Sequence, residues 1–172
     1  MIPIEILFEG LIFSSDDLVY KFDNWKSGKI KVLLITGFTG SGKTTLGEKL
    51  AEIHNARFTS LDARMSDKGE HQQMNGLSNE SLVNYLDNIK TPTVYEATQI
   101  VRLLTPKEAS KYSVIIRGTG YFKSSYRGAS RDSDGKIWLK GGDAIRHHLS
   151  INKHYLPKLK AYYDFFSTKK QK

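Results

Sequence analysis

The stretch Ile30–Thr36 (IKVLLIT) runs without interruption into Gly37-Phe38-Thr39-Gly40-Ser41-Gly42-Lys43-Thr44. The first part is too apolar for a strand with one wet face. It belongs inside a parallel sheet covered on both sides. The second part fits G-x-x-x-x-G-K-[ST] at every fixed position, and a helix at about Lys43–His54 should follow it. Gly37, Gly40 and Gly42 allow a tight turn whose N–H groups point inward, and the helix N-terminus adds partial positive charge. Such a cradle suits phosphate oxygens.

The expected nucleotide-binding residues are therefore Gly37, Thr39, Gly40, Ser41, Gly42, Lys43, Thr44 and Thr45. Lys43 should reach the β- and γ-phosphates of ATP, and the Thr44 hydroxyl should ligate Mg²⁺. Further strands are expected at Arg57–Asp62, Thr93–Glu96 and Tyr112–Arg117. Helical spacing marks Leu77–Ile89, and Thr105-Pro106-Lys107-Glu108 reads as a capped helix start. Strands alternating with helices imply a parallel sheet between two helical layers. A C-terminal helix over Ala144–Phe166 carries an apolar stripe at 145, 149, 156, 159, 163 and 166, with a kink expected at Pro157. Residues 1–29 read as an N-terminal extension packed on a domain of residues 30–172, with a helix over Asp16–Trp25. A further strand to complete the sheet is expected at Ile137–Leu139 or Ile4–Phe8.

A GTPase would carry N-K-x-D after a later strand. The nearest string, Asn152-Lys153-His154-Tyr155, lacks the carboxylate. A motor-type ATPase would carry four apolar residues ending in an acid, whereas here only Leu61-Asp62 and Val94-Tyr95-Glu96 end a strand in one. The chain resembles the small P-loop kinases, which include nucleotide kinases, polynucleotide 5′-kinases and zeta-toxin-like kinases. The resemblance covers about residues 30–140 and rests on the glycine loop and three looser strings. Ser60-Leu61-Asp62-Ala63-Arg64 is similar to the element that holds the acceptor hydroxyl. Glu96-Ala97-Thr98-Gln99 looks like a longer Asp-Ala-Thr-Asn string, and Lys123–Asp132 stands where these kinases keep a lid.

The resemblance implies a three-layer P-loop NTPase fold with a lid at about 118–141. It implies catalytic roles for Lys43, Asp62, Arg127 and Arg131, and substrate contacts from Asp62, Arg64, Glu96 and Gln99. Asp62 would align the acceptor and take its proton; the alternative is a helix N-cap or turn. Glu96 would hold Mg²⁺ through water or orient Asp62, or else pair with a lysine. Lys123, Arg127 and Arg131 recur every fourth residue, so on a helix they would share one face over ~12 Å. There they would neutralise charge on the γ-phosphate, or form a solvated basic face. His147, His148 and His154 read as a solvated face, not a metal site.

The charge is uneven: residues 1–100 hold 10 basic and 13 acidic residues, and residues 101–172 hold 16 and 5. That surplus of +11 suits nucleotide phosphates or nucleic acid as partners, beside a small-molecule phosphoryl acceptor. The chain of 172 residues has no cysteine, which excludes disulfides and thiolate metal sites. No apolar run reaches membrane-spanning length, and Ile2–Phe13, broken by Pro3, Glu5 and Glu9, makes a poor signal peptide. The expected setting is cytoplasmic, as monomer or homodimer. The function expected is an ATP- and Mg²⁺-dependent kinase acting on a nucleoside- or nucleotide-like acceptor. The alternatives are a polynucleotide 5′-hydroxyl kinase and a nucleotide-switched ATPase or binding module without an acceptor.

Overall fold

Four strands expected from the sequence lie side by side in one sheet, with the glycine loop at its centre. The structure, a computed structural model, describes residues 2–3, 16–60, 70–71, 78–118, 130–131, 133, 137–139 and 143–170; side chains are described for 16–60, 78–118, 133 and 150–169. In chain order the elements are β1 (Ile2–Pro3), β2 (Leu18–Tyr20), α1 (Phe22–Lys26), β3 (Val32–Thr36), α2 (Lys43–Ile53), β4 (Arg57–Ser60) and β5 (Glu70–His71). Then follow α3 (Asn79–Asp87), β6 (Thr93–Glu96), α4 (Ile100–Leu103), α5 (Pro106–Ala109), β7 (Ser113–Ile116), β8 (Ser130–Arg131), β9 (Ile137–Leu139) and α6 (Asp143–Lys170).

The main sheet has the order β2-β7-β3-β6-β4-β5, and every pairing is parallel except β2 with β7. Successive residues of its central strands point to opposite faces. Val32, Leu34, Tyr95, Val114 and Ile116 join one core, with Leu82 and Leu86 of α3 and Leu159, Tyr162 and Phe166 of α6. Leu33, Ile35, Val94 and Ile115 join the other, with Trp25 of α1 and Ala51 of α2. Both faces are thus covered, as the apolar β3 requires, and the result is a three-layer α/β arrangement.

The crossover from β3 to β4 runs in one direction along the sheet and that from β6 to β7 in the other. Right-handed connections then place their helices on opposite faces. The carboxyl ends of neighbouring β3 and β6 are thus a topological switch point, the position where open α/β sheets hold ligands.

Three expectations change at the edges. Asp16–Trp25 is not one helix: Leu18–Tyr20 forms an edge strand antiparallel to β7, and Lys21, with a left-handed φ of 54°, separates it from the five-residue α1. Leu18–Tyr20, expected in an extension packed on the domain, thereby becomes part of the main sheet. Ile137–Leu139 does not complete that sheet, because it lies between β1 and β8 in a separate three-stranded sheet. Ile4–Phe8 lies outside the described residues. Arg131 sits on β8, opposite Ile137, so the helical spacing of Lys123, Arg127 and Arg131 ends at a strand. The C-terminal helix continues through Pro157, and the centre of its buried stripe is Asn152, Tyr155, Leu159, Tyr162 and Phe166. Leu156 and Tyr163 are only partly buried. Among the described residues, no helix is long and apolar enough to cross a membrane.

Candidate functional site

Because β3, β4, β6 and β7 are parallel, their last residues, Thr36, Ser60, Glu96 and Ile116, lie along one edge. The glycine loop leaves from that edge. Gly40 and Gly42 hold φ at 89° and 84°, a region costly for any residue with a Cβ. Gly42 is the N-cap of α2 and has no side chain to occupy the first-turn N–H groups, which thus stay turned toward the loop. At Gly37 a Cβ would stand 3.0 Å from Cβ of Arg117, so β7 can approach only a glycine. Within the loop, the Ser41 hydroxyl and backbone N–H both donate to the Phe38 carbonyl, at 2.6 and 3.1 Å.

The start of α2 carries Lys43 and Thr44 to Glu96. The Thr44 hydroxyl donates to Glu96 Oε1 at 2.6 Å, and the Ser60 hydroxyl donates to the same oxygen at 3.1 Å. Lys43 Nζ lies 3.9 Å from Glu96 Oε2, an electrostatic contact longer than a hydrogen bond. Lys43 is 4% exposed and Glu96 is fully buried. Burying a lysine and a carboxylate together is tolerable only as a pair with further hydrogen bonds. This reproduces the pairing of Glu96 with a lysine and adds two hydroxyls to it.

Other groups hold the loop from outside. Thr98 donates to the Gly37 carbonyl at 3.2 Å, and its hydroxyl lies 3.5 Å from that of Thr39. Arg117, just past β7, donates from Nε to the Ser41 carbonyl at 3.2 Å and from Nη1 to Asp17 at 2.8 Å. The other Asp17 oxygen accepts the Gly118 N–H at 2.6 Å. Because β2 is antiparallel, Asp17, the residue just before it, reaches the carboxyl edge. From α6, Asn152 accepts the Thr39 N–H at 2.8 Å and donates to the Thr39 carbonyl at 3.1 Å.

Of the expected site residues, the structure brings together Lys43, Thr44 and Glu96, beside the loop residues Gly37–Gly42. Thr45 is exposed on the first turn of α2, and Gln99 precedes α4. Asp62, Arg64, Lys123 and Arg127 lie outside the described residues, as does the side chain of Arg131. Ser60, Arg117, Asp17 and Asn152 were not anticipated as site residues. Ser60 could have been found from its place at a strand end in the same string as Asp62. His154 is exposed, and among the described residues no three His, Cys, Asp or Glu side chains gather as a metal site.

Fold and site together define an α/β protein whose glycine loop meets a buried acid at the carboxyl edge of a largely parallel sheet. No family model, curated protein or solved structure matches the chain.

Proposed function

We propose that this chain is an ATP- and Mg²⁺-dependent P-loop kinase that moves the γ-phosphoryl group to a nucleoside- or nucleotide-like acceptor. The observation that carries this reading is the delivery of Lys43 and Thr44, by a loop with left-handed Gly40 and Gly42, onto buried Glu96. The oxygens of Thr44 and Glu96 suit Mg²⁺, a hard ion that takes one or two protein oxygens together with phosphates and water. Mg²⁺ held there would neutralise charge on the β- and γ-phosphates. The loop amides and the α2 N-terminus bind phosphate oxygens, and Lys43 meets the charge that spreads over the γ-phosphoryl group.

As the acceptor oxygen bonds to the γ-phosphorus, the bond to the β-phosphate oxygen breaks and ADP departs. The acceptor proton passes to Asp62, two residues beyond Ser60 in the chain. Arg64 binds an anionic acceptor group, and Arg127 and Arg131 stabilise the transferring phosphoryl.

Transfer of labelled γ-phosphate to nucleosides, nucleoside monophosphates, 5′-hydroxyl oligonucleotides and sugar nucleotides tests the proposal. Lys43→Ala should abolish transfer while the circular dichroism stays native; transfer at the wild-type rate by that variant would sink it. A second reading makes the acceptor a nucleic-acid 5′-hydroxyl. It is favoured by the outer face of α6, where Lys153, Lys158, Lys160 and Lys169 are exposed against one exposed acid, Asp164.

A further inference from the structure

We propose that Asn152 is a positioning residue for the phosphate loop, holding the Thr39 peptide in one orientation and thereby coupling the loop to α6. The inference rests on the nucleotide reading above in one respect only, that the loop's ligand is phosphate. Asn152 lies 113 residues beyond Thr39 and is fully buried. Its side-chain amide presents an oxygen that accepts and an NH2 that donates, and these are matched to the N–H and C=O of a single residue, at 2.8 and 3.1 Å.

That match matters because of what flanks it. Gly37 and Gly40 stand on either side, and glycines leave a loop free to rotate the peptides between them. With Thr39 pinned, its N–H is directed to α6 and is withdrawn from the donors a phosphate could use. The neighbouring amides then keep a single arrangement, which lowers the ordering cost when an anion binds.

The other side of the coupling is the seat of Asn152. One and two turns further on, the same face of α6 is fixed by Tyr155 and Leu159 and then by Tyr162, whose hydroxyl donates to the Leu104 carbonyl at 2.5 Å. Loop order and α6 docking therefore favour each other, and the linkage is reciprocal: phosphate in the loop should tighten α6.

The test uses the full chain with Mg²⁺ and either ATP or tripolyphosphate, the second being a ligand with no base or sugar. Asn152→Ala should weaken tripolyphosphate binding about tenfold, the scale of one lost hydrogen-bond pair. It should also remove hydrogen-exchange protection from the Thr39 amide. Tyr162→Phe, which removes one hydroxyl bond about three turns from Asn152 and leaves the Asn152–Thr39 pair in place, should lower the melting temperature yet leave affinity within about twofold of wild type. Wild-type affinity in Asn152→Ala, or an equal loss in both variants, would overturn the proposal. If the wild-type chain binds neither ligand, the nucleotide reading falls instead. The clamp is then decided by the Thr39 amide: lost protection in Asn152→Ala upholds it and unchanged protection refutes it.

Discussion

Asp17 shows how much a single residue outside the glycine motif contributes to the site edge. Its two oxygens hold Arg117 Nη1 and the Gly118 N–H, and Arg117 in turn holds the Ser41 carbonyl. Asp17→Ala leaves a guanidinium, 11% exposed, without its carboxylate. It should cost about 2 kcal/mol in urea unfolding, the scale of hydrogen bonds to a charged group. A loss indistinguishable from zero would mean that water replaces the carboxylate. Glu108 supplies a pH signature. It accepts from the Thr105 N–H and from Asn79, and these bonds hold its carboxyl below the usual range. A depressed carboxyl stabilises the fold above its unfolded value, about 4.3, and the benefit is lost as pH falls through the lower folded value. Stability against pH should flatten in that acid window for Glu108→Gln. The Thr105–Glu108 box was legible because capping is a local pattern of four residues. Lys43 and Thr44 were legible too, as the end of a known loop pattern, and Glu96 as a strand end. Asn152 and Asp17 were not, since each acts on residues at least 100 positions away and no local spacing encodes such a contact.

At the scale of elements, β3 announced itself through a nearly continuous apolar run, and β6 spans Thr93–Glu96 as read from the sequence. The errors lie where an element is short or its inner face carries hydroxyls. β2 has three residues, too few for a period of two to outweigh the helical spacing of Leu18, Phe22 and Trp25. On α6 the inner face centres on Tyr155 and Tyr162, one residue and about 100° from the expected 156 and 163. Tyrosine reads as half polar, yet Tyr162 satisfies its hydroxyl on the carbonyls of Ile100 and Leu104, at either end of α4, and burial raises its pKa. Packing between α2 and β4 makes a prediction of its own. A Cβ on Gly47 would meet Phe58 Cε1 at 2.7 Å. Alanine is the better helix former by about 0.5–1 kcal/mol, but overpacking typically costs about 1–3 kcal/mol. Gly47→Ala should therefore lower the melting temperature, and a rise would show that the Phe58 ring moves aside freely.

For the molecule as a whole, the charge divides as the sheet does not. The glycine loop lies in the first hundred residues, with 10 basic and 13 acidic side chains, while the following 72 carry 16 and 5. Part of that surplus now has a position. Arg117 is committed to Ser41 and Asp17, whereas Lys153, Lys158, Lys160 and Lys169 stand on the face of α6 turned away from the core. Exposed lysines in this arrangement add little to stability, since surface charges are well screened. Their effect is on what approaches from solution. Under the nucleic-acid reading, each lysine that meets a phosphate releases a counterion. The logarithm of affinity for a single strand then falls with the logarithm of salt by about 0.7 per contact. Reversing Lys153, Lys158 and Lys160 to glutamate should weaken binding of a 5′-hydroxyl single strand and reduce that slope by about 2. ATP affinity and melting temperature should stay near wild type, because all three side chains are exposed whereas Asn152 is buried. A slope unchanged by the reversal would assign the surplus on α6 to solubility and leave the acceptor a small molecule.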